Sequence, residues 1–294
     1  MNEAMGWRSL LFVPGARPDR FDKALASGAD AVCVDLEDAV APARKDEARA
    51  AAIRFLVDGA GQGEPDRVVR INGVRSLAGL RDLLAIAEAR PAGGTVAVPK
   101  LESAEEVQWI DQVLAEAGVP VRLVAQIETL RGVEQASAIA AASSRLAALM
   151  FGGLDLAAEL GVPASWDALL LARSRTVHAA ARAGLAAIDM PFVDVAAPEG
   201  CRAEAVRSLG LGFSAKMAIH PTQVPVINDA YTPSPEEVAR AERIGMAYAG
   251  NPDGILLLDG TMVERPVVLA MARLLTRARR SGVSNAAAKT AGAE

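Results

Sequence analysis

Residues 124–132 read VAQIETLRG: strand-forming residues run into Glu128, and the chain then turns toward a helical stretch, Gly132 to Ala142. A carboxylate left unpaired so near a core costs several kcal/mol, so Glu128 belongs at a solvent edge or against a cation. The same unit, an apolar strand that ends in a charge and leads into a helix, recurs along the chain. SLLFV (9–13) precedes a helix opened by Pro18 and Asp19, and AVCVDL (31–36) precedes a charged stretch from Arg44 to Val57. RVVRI (67–71) precedes Leu77 to Ala89, and TVAVPK (95–100) precedes Ala104 to Ala117. Beyond VRLVAQI (121–127) come LAALMF (146–151), LAAIDM (185–190) and FSAKMAI (213–219), each followed by helix-like sequence. Fully apolar strands alternating with helices imply a parallel sheet. Eight such units imply a closed (β/α)8 TIM barrel of the α/β class.

The barrel is assigned to residues 1–232. A C-terminal helical extension, 233–280, holds a helix near Glu236 to Ala249, the apolar run GILLL (254–258) and a helix from about Pro266. The tail 281–294, SGVSNAAAKTAGAE, is small and polar and is expected to be disordered. Length alone allows two domains, but α/β barrels often run to about 250 residues as one. No internal repeat other than the strand and helix rhythm is visible.

Composition narrows the setting. The chain has 294 residues, 51% hydrophobic and 23% charged, with a net charge of −5. Without a basic stripe or interleaved aromatics, nucleic acid is not expected as a partner. Two cysteines, Cys33 and Cys201, exclude a disulfide framework and a Cys-rich metal site, which fits a reducing cytoplasm. The N-terminal apolar run is too short for a signal peptide, and no stretch reaches the roughly 18 apolar residues of a membrane span. A cytoplasmic protein with no membrane partner is expected.

The strand ends carry the chemistry. Asp35, Glu37 and Asp38 follow strand two, Arg70 and Asn72 strand three, Lys100 strand four and Glu128 strand five. FGG after strand six leads to Asp155, strand seven holds Asp189, and strand eight carries Lys216 and then His220. In a barrel these ends share the rim where active sites lie, and random placement would scatter charges to both rims. Asp155 stands 27 residues after Glu128, one barrel unit on, so adjacent strands present the two carboxylates side by side. Two hard oxygen ligands, completed by water and substrate, describe a Mg²⁺ site, and an arginine-bridged pair without metal is the alternative. Gly152 and Gly153 let backbone N–H groups approach a ligand carboxylate at a helix start.

In RSLLFVPGARPDRFDKAL, GADAVCVDLEDAVAPARKDEAR, VRIN, VPKLES, QIET, FGGLDLAAELG, GFSAKMAIHPTQV and DGTMVERPVV, in this order and spacing, the chain resembles the citrate lyase beta subunit and malyl-CoA lyase group of the hydroxy-keto-heptanedioate aldolase superfamily. The resemblance implies a trimeric or hexameric barrel that uses Mg²⁺ to cleave or form a carbon–carbon bond beside a coenzyme A thioester. It implies Glu128 and Asp155 as metal ligands and Arg70 as the active-site arginine, with acyl-CoA and keto acid as small-molecule partners. Glu37 and Asp38 are then expected to orient Arg70 or hold metal-bound water, and Arg70 otherwise simply pairs with one of them. A thioesterase on the same scaffold and a non-catalytic subunit of a larger assembly are the alternatives.

For the CoA phosphates the basic candidates are Arg17, Arg20 and Lys23 after strand one and Arg44 and Lys45 after strand two. Each is equally well read as a solvated helix charge. His220, beside Pro221, and mid-helix His178 are expected to be structural, and Cys33 to be core. Glu264 in DGTMVERP departs from the aspartate that the resembling enzymes carry there. The resemblance implies that it acts as acid/base across a subunit interface, and a simple N-terminal helix charge is the other reading.

Overall fold

Each of the eight apolar runs forms a strand, and the strands pair in chain order until β8 closes onto β1 through Ser9 beside Lys216, Leu10 beside Met217 and Leu11 beside Ala218. The computed structural model describes residues 5–251 and 254–282. The barrel strands are β1 (Ser9–Pro14), β2 (Ala31–Asp35), β3 (Asp66–Arg70), β4 (Thr95–Val98), β5 (Arg122–Ile127), β6 (Leu146–Phe151), β7 (Ala186–Asp189) and β8 (Ala215–Ala218). All are parallel, as in a (β/α)8 TIM barrel. Between them lie α1 (Phe21–Leu25), α2 (Lys45–Asp58), α3 (Leu77–Ala89), α4 (Ala104–Glu116), α5 (Leu130–Ala140), α6 (Gly153–Leu160), α7 (Trp166–Ala183) and α8 (Pro198–Leu211), with α9 (Gln223–Tyr231) after β8.

Local chemistry sets the helix starts. Ser76 and Thr129 accept hydrogen bonds from the backbone N–H of Gly79 and Gly132. That cap starts α5 at Leu130, two residues before the expected Gly132. Ser103 and Glu106 form a reciprocal capping box on α4.

Alternation along the strands fills the barrel. Leu10, Cys33, Val68, Ala97, Val124, Met150, Ile188, Ala215 and Met217 form one buried cluster, with Phe12 packed on it. Residues of the other parity face the helices. This corrects the expectation that every strand charge sits on the rim. Lys216 and Asp189 have the outward parity and lie fully buried, bonded to each other at 2.9 Å. Lys216 also reaches Glu204 at 2.8 Å and the Met190 carbonyl at 2.7 Å, while Arg173 of α7 donates to Asp189 at 2.9 Å. Burial raises the Asp189 pKa, but Lys216 and Arg173 outweigh it and hold the carboxyl below the usual range. These charges brace β7 and β8 against α7 and α8.

The chain divides into two compact units between Asn228 and Asp229. The second unit carries α10 (Pro235–Ala249), α11 (Arg265–Arg280) and a hairpin of β9 (Leu256–Leu258) and β10 (Thr261–Val263). The hairpin turns at Asp259–Gly260, both with positive φ, as a two-residue loop between right-twisted strands requires. Within this unit α10 and α11 pack on each other. Of the tail 281–294, all but Ser281 and Gly282 lie outside the described residues. Among the described residues no helix is long and apolar enough to cross a membrane.

Candidate active site

The inward parity that fills the barrel also selects its reactive groups. Along β5 and the residue that follows it, Val124, Gln126 and Glu128 share one face, and Cys33 and Asp35 on β2 and Val68 and Arg70 on β3 do the same. The lowest member of each set joins the apolar cluster, and the uppermost delivers a polar group to the C-terminal rim. A cavity of about 400 Å³ opens there, lined in part by Asp35, Asp38, Arg70, Gln126, Gly152 and Asp155.

Arg70 is the hub. Its Nε and Nη2 donate to the two carboxylate oxygens of Asp35, each at 2.7 Å, and Nη1 lies 3.1 Å from Glu37 Oε2. Its guanidinium stacks over Phe12 at 5.2 Å. Asp38 is more distant, at 3.6 Å, and half exposed. Asp35, rather than Glu37 or Asp38, is thus the main partner of Arg70. Burial raises the Asp35 pKa, and the Arg70 guanidinium more than reverses that, so the carboxyl stays ionised below the usual range. Asp35 also accepts the backbone N–H of Glu37 and Ala39, which shapes the loop carrying Glu37 and Asp38.

Lys100 joins the two halves of the site. Its Nζ lies 2.8 Å from Glu37 Oε1, 3.5 Å from Asp155 Oδ1 and 3.9 Å from Asp38 Oδ1, and its backbone N–H donates to Glu128 Oε1 at 2.9 Å. Lys100 has φ +55°, rare for a residue with a side chain, and this turn after β4 accompanies its reach into the carboxylates.

Glu128 is fully buried, and its Oε2 accepts a hydrogen bond from Gln126 Nε2. Burial, then the negative charge of Glu37 and Asp155, push its carboxyl up to about 8, against the pull of Arg70 and Gln126. Gly152 leaves the room this carboxyl occupies, since a Cβ there would lie 2.3 Å from Glu128 Oε2. A Cβ on Gly153 would meet Met190 Sδ at 2.4 Å. The Gly152 N–H is committed to the Ile127 carbonyl at 3.0 Å, so it is not free for a ligand carboxylate. Gly153 opens α6, and Asp155 stands in its first turn.

The donor set suits Mg²⁺. Glu128 and Asp155 offer hard oxygens, Glu128 with negative charge around it; the side-chain amide oxygen of Gln126 is buried with no hydrogen-bond partner among the described residues, and the Lys100 ammonium already sits against Asp155 as a cation. Among the described residues no three His, Cys, Asp or Glu side chains gather into a metal cage. Mg²⁺ needs none, because it keeps water and substrate oxygens as ligands.

The basic candidates separate clearly. Arg17 pairs with Asp19 at 2.7 Å, and Arg44 with Glu47 at 3.1 Å while reaching the Ala16 carbonyl. Lys45 is clamped on the Leu36 and Glu37 carbonyls at 2.7 and 2.6 Å, so it is not free for a phosphate. Arg20 and Lys23 are exposed, and no ion pair is recorded for either among the described residues. His220 bonds to Thr222, His178 is exposed on α7, and Cys33 lies in the barrel core. Glu264 is the N-cap residue of α11, extended at φ −136°, and its side chain makes no capping bond. Asp35 and Lys100, placed on the rim by the sequence without a specific role, complete the site together with Gln126, which the sequence did not single out.

Comparison with known proteins points the same way. Residues 8–221 match the family model described as HpcH/HpaI aldolase/citrate lyase. A citrate lyase subunit beta-like protein of Mycobacterium tuberculosis is 38% identical, over 93% of this chain and 95% of its own. A (3S)-malyl-CoA thioesterase of Cereibacter sphaeroides is 33% identical, over 94% and 96% of the two chains. A crystal structure of protein CitE from M. tuberculosis, in complex with magnesium, acetoacetate and coenzyme A, superposes with a TM-score of 0.78 at 36% identity, covering 92% of this chain and 97% of that one. The chain belongs to the HpcH/HpaI aldolase/citrate lyase family.

Proposed function

We propose that the protein is a Mg²⁺-dependent carbon–carbon lyase that cleaves or forms a 3-hydroxyacyl-CoA, giving an acyl-CoA and a 2-keto acid or glyoxylate. The observation that carries this reading is the buried Glu128 carboxyl, which feels the charge of Asp155 and is hydrogen-bonded by Gln126, behind a cavity that Gln126, Asp155 and Arg70 line. Glu128 and Asp155 would hold the ion, which when bound supplies Lewis-acid polarisation of substrate oxygens. Arg70, always charged and fixed in plane by Asp35, stabilises the negative charge that moves onto the thioester oxygen as the carbon–carbon bond opens. Glu37 and Lys100 keep that guanidinium and Asp155 in place. Relatives of both lyase and thioesterase name keep hydrolysis as the second reading. The deciding experiment incubates citryl-, malyl-, citramalyl- and methylmalyl-CoA with the protein and Mg²⁺ and follows keto acid and free thiol separately. Keto acid without thiol supports the lyase, and thiol release the thioesterase.

The CoA phosphates are assigned to Arg20 and Lys23. Arg17 and Arg44 can exchange their exposed partners at little cost, because such surface pairs contribute only about 0–1 kcal/mol. Replacing both Arg20 and Lys23 by Ser is expected to raise KM for the acyl-CoA about tenfold while kcat changes little. An unchanged KM removes them from the CoA site.

Glu264 is assigned as the acid/base that takes the hydroxyl proton in cleavage, supplied by the extension 233–280 to the rim of a neighbouring subunit in a cytoplasmic homotrimer or hexamer. Glutamate in place of aspartate adds one methylene and shifts the carboxylate by roughly an ångström, enough to change rates about a hundredfold. If each site draws on two chains, mixing inactive Asp155→Ala and Glu264→Ala proteins under subunit exchange should restore part of the activity. No recovery in demonstrably mixed oligomers, or an active Glu264→Ala protein, defeats the assignment.

A further inference from the structure

The cavity is unbalanced in charge and mostly apolar in its walls. Asp35, Asp38 and Asp155 face it as carboxylates, and Arg70 is the one cation among its described lining residues. Arg70 is already matched to Asp35 at 2.7 Å and to Glu37 at 3.1 Å. Lys100, the cation beside the cavity, is held by Glu37 at 2.8 Å and shared with Asp155 and Asp38. Lys45, next along the rim, is taken up by two carbonyls. Phe12, Leu154, Met190, Pro191, Met217 and Ile219 make up much of the remaining wall. Gly153 brings Met190 tight against α6, and Lys216 holds the Met190 carbonyl from behind at 2.7 Å, so this wall is fixed.

A 2-oxo acid binds through the one carboxylate beside its oxo group, at the Mg²⁺ that Glu128 and Asp155 would hold. A second carboxylate, on the substituent, would lie against thioether and aromatic surface or against Asp38 and Asp155. An unpaired charge is strongly disfavoured in such surroundings, and the like charges add to the penalty. A methyl or ethyl substituent gains by burial there instead.

We propose that the oxo-acid half of the substrate is a monocarboxylic 2-oxo acid with a short alkyl substituent, and that the Met190, Met217 and Ile219 wall selects it over a dicarboxylic one. This rests on the lyase reading, which it narrows. With Mg²⁺ present, pyruvate should bind the protein about tenfold or more tightly than oxaloacetate by calorimetry, and citramalyl-CoA should be cleaved with a kcat/KM about tenfold or more above that of citryl-CoA. Ile219→Lys adds a cation at a position 43% exposed, where the fold tolerates it. That variant should narrow or invert both preferences.

Equal or tighter binding of oxaloacetate, or comparable cleavage of citryl-CoA, overturns the selectivity and leaves the lyase reading standing. Unchanged preferences in a folded Ile219→Lys protein overturn the charge argument. Absence of keto acid from every thioester defeats the lyase reading itself. In that case the binding comparison still decides the preference, and failure of both oxo acids to bind counts against the proposal too.

Discussion

Glu128→Gln is expected to give a protein that, without divalent metal and above neutral pH, is more stable than the parent, yet turns over acyl-CoA about a thousandfold more slowly. The carboxyl is buried and its pKa is raised to about 8 from an ordinary 4.5. An acid raised on folding weakens the fold as pH climbs through that interval, and the penalty is fully present above 8. It amounts to a few kcal/mol, or several degrees in Tm for a chain of this size. The amide carries no such penalty. Its oxygen can keep the bond from the Lys100 N–H, and Gln126 can turn its amide so that the carbonyl oxygen, now without a partner, accepts from the new NH₂. The same substitution removes one of the two charged ligands assigned to Mg²⁺, whose polarisation of the reacting oxygen contributes several kcal/mol. Added Mg²⁺ should therefore raise the Tm of the parent, more at pH 8.5 than at pH 6, where a proton competes for Glu128, and leave the variant unmoved. A variant less stable than the metal-free parent at pH 8.5, or one with Mg²⁺-dependent turnover intact, would sink the argument.

The barrel was legible because its signal is local and redundant: eight apolar runs, each followed by a helix, leave few alternatives. The site was half legible. Glu128, Asp155 and Arg70 announced themselves as charges at strand ends, but so did Asp189 and Lys216, which brace helices instead. Parity separates the two groups. Gln126 and Glu128 continue the inward set begun by Val124, whereas Lys216 lies between inward Ala215 and Met217. That test needs only the sequence and the strand starts. Other features needed coordinates. Asp35 is paired with Arg70 by the register that sets the two side by side across β2 and β3, and no spacing rule chooses it over Glu37 or Asp38. Lys100 was placed on the rim as the charge that ends strand four, but it reaches the carboxylates through a left-handed backbone that a lysine rarely adopts, so its partners could not be read from the sequence. The commitment of Lys45 to two carbonyls is equally invisible, because a long flexible cation reads the same whether solvated or clamped.

That register makes Arg70→Lys the sharpest test of the hub. Lysine keeps the charge and loses the planar fork, and the two 2.7 Å bonds to Asp35 together with the 3.1 Å approach to Glu37 use three different nitrogens. An ammonium can serve one of these positions at a time, which leaves a nearly inaccessible carboxylate under-paired and strips Phe12 of its stacked cation. Breaking a buried pair of this kind costs about 3 kcal/mol or more of stability. Turnover should fall at least a hundredfold, since the group assigned to the developing oxyanion is displaced. A pH signature separates this from general damage. The Asp35 carboxyl is held below its ordinary value by Arg70, so its contribution is present above the ordinary carboxylate range and is lost as pH falls through the lowered value. In the variant that acid-sensitive component should shrink, giving a flatter decline of Tm toward low pH than in the parent. Asp35→Asn should flatten it equally, and the double variant should lose less than the sum of the two single losses, because both remove one interaction. Near-parental turnover in Arg70→Lys, or strictly additive losses with an unchanged acid slope, would mean that Arg70 neither depends on Asp35 nor carries the charge of the transition state.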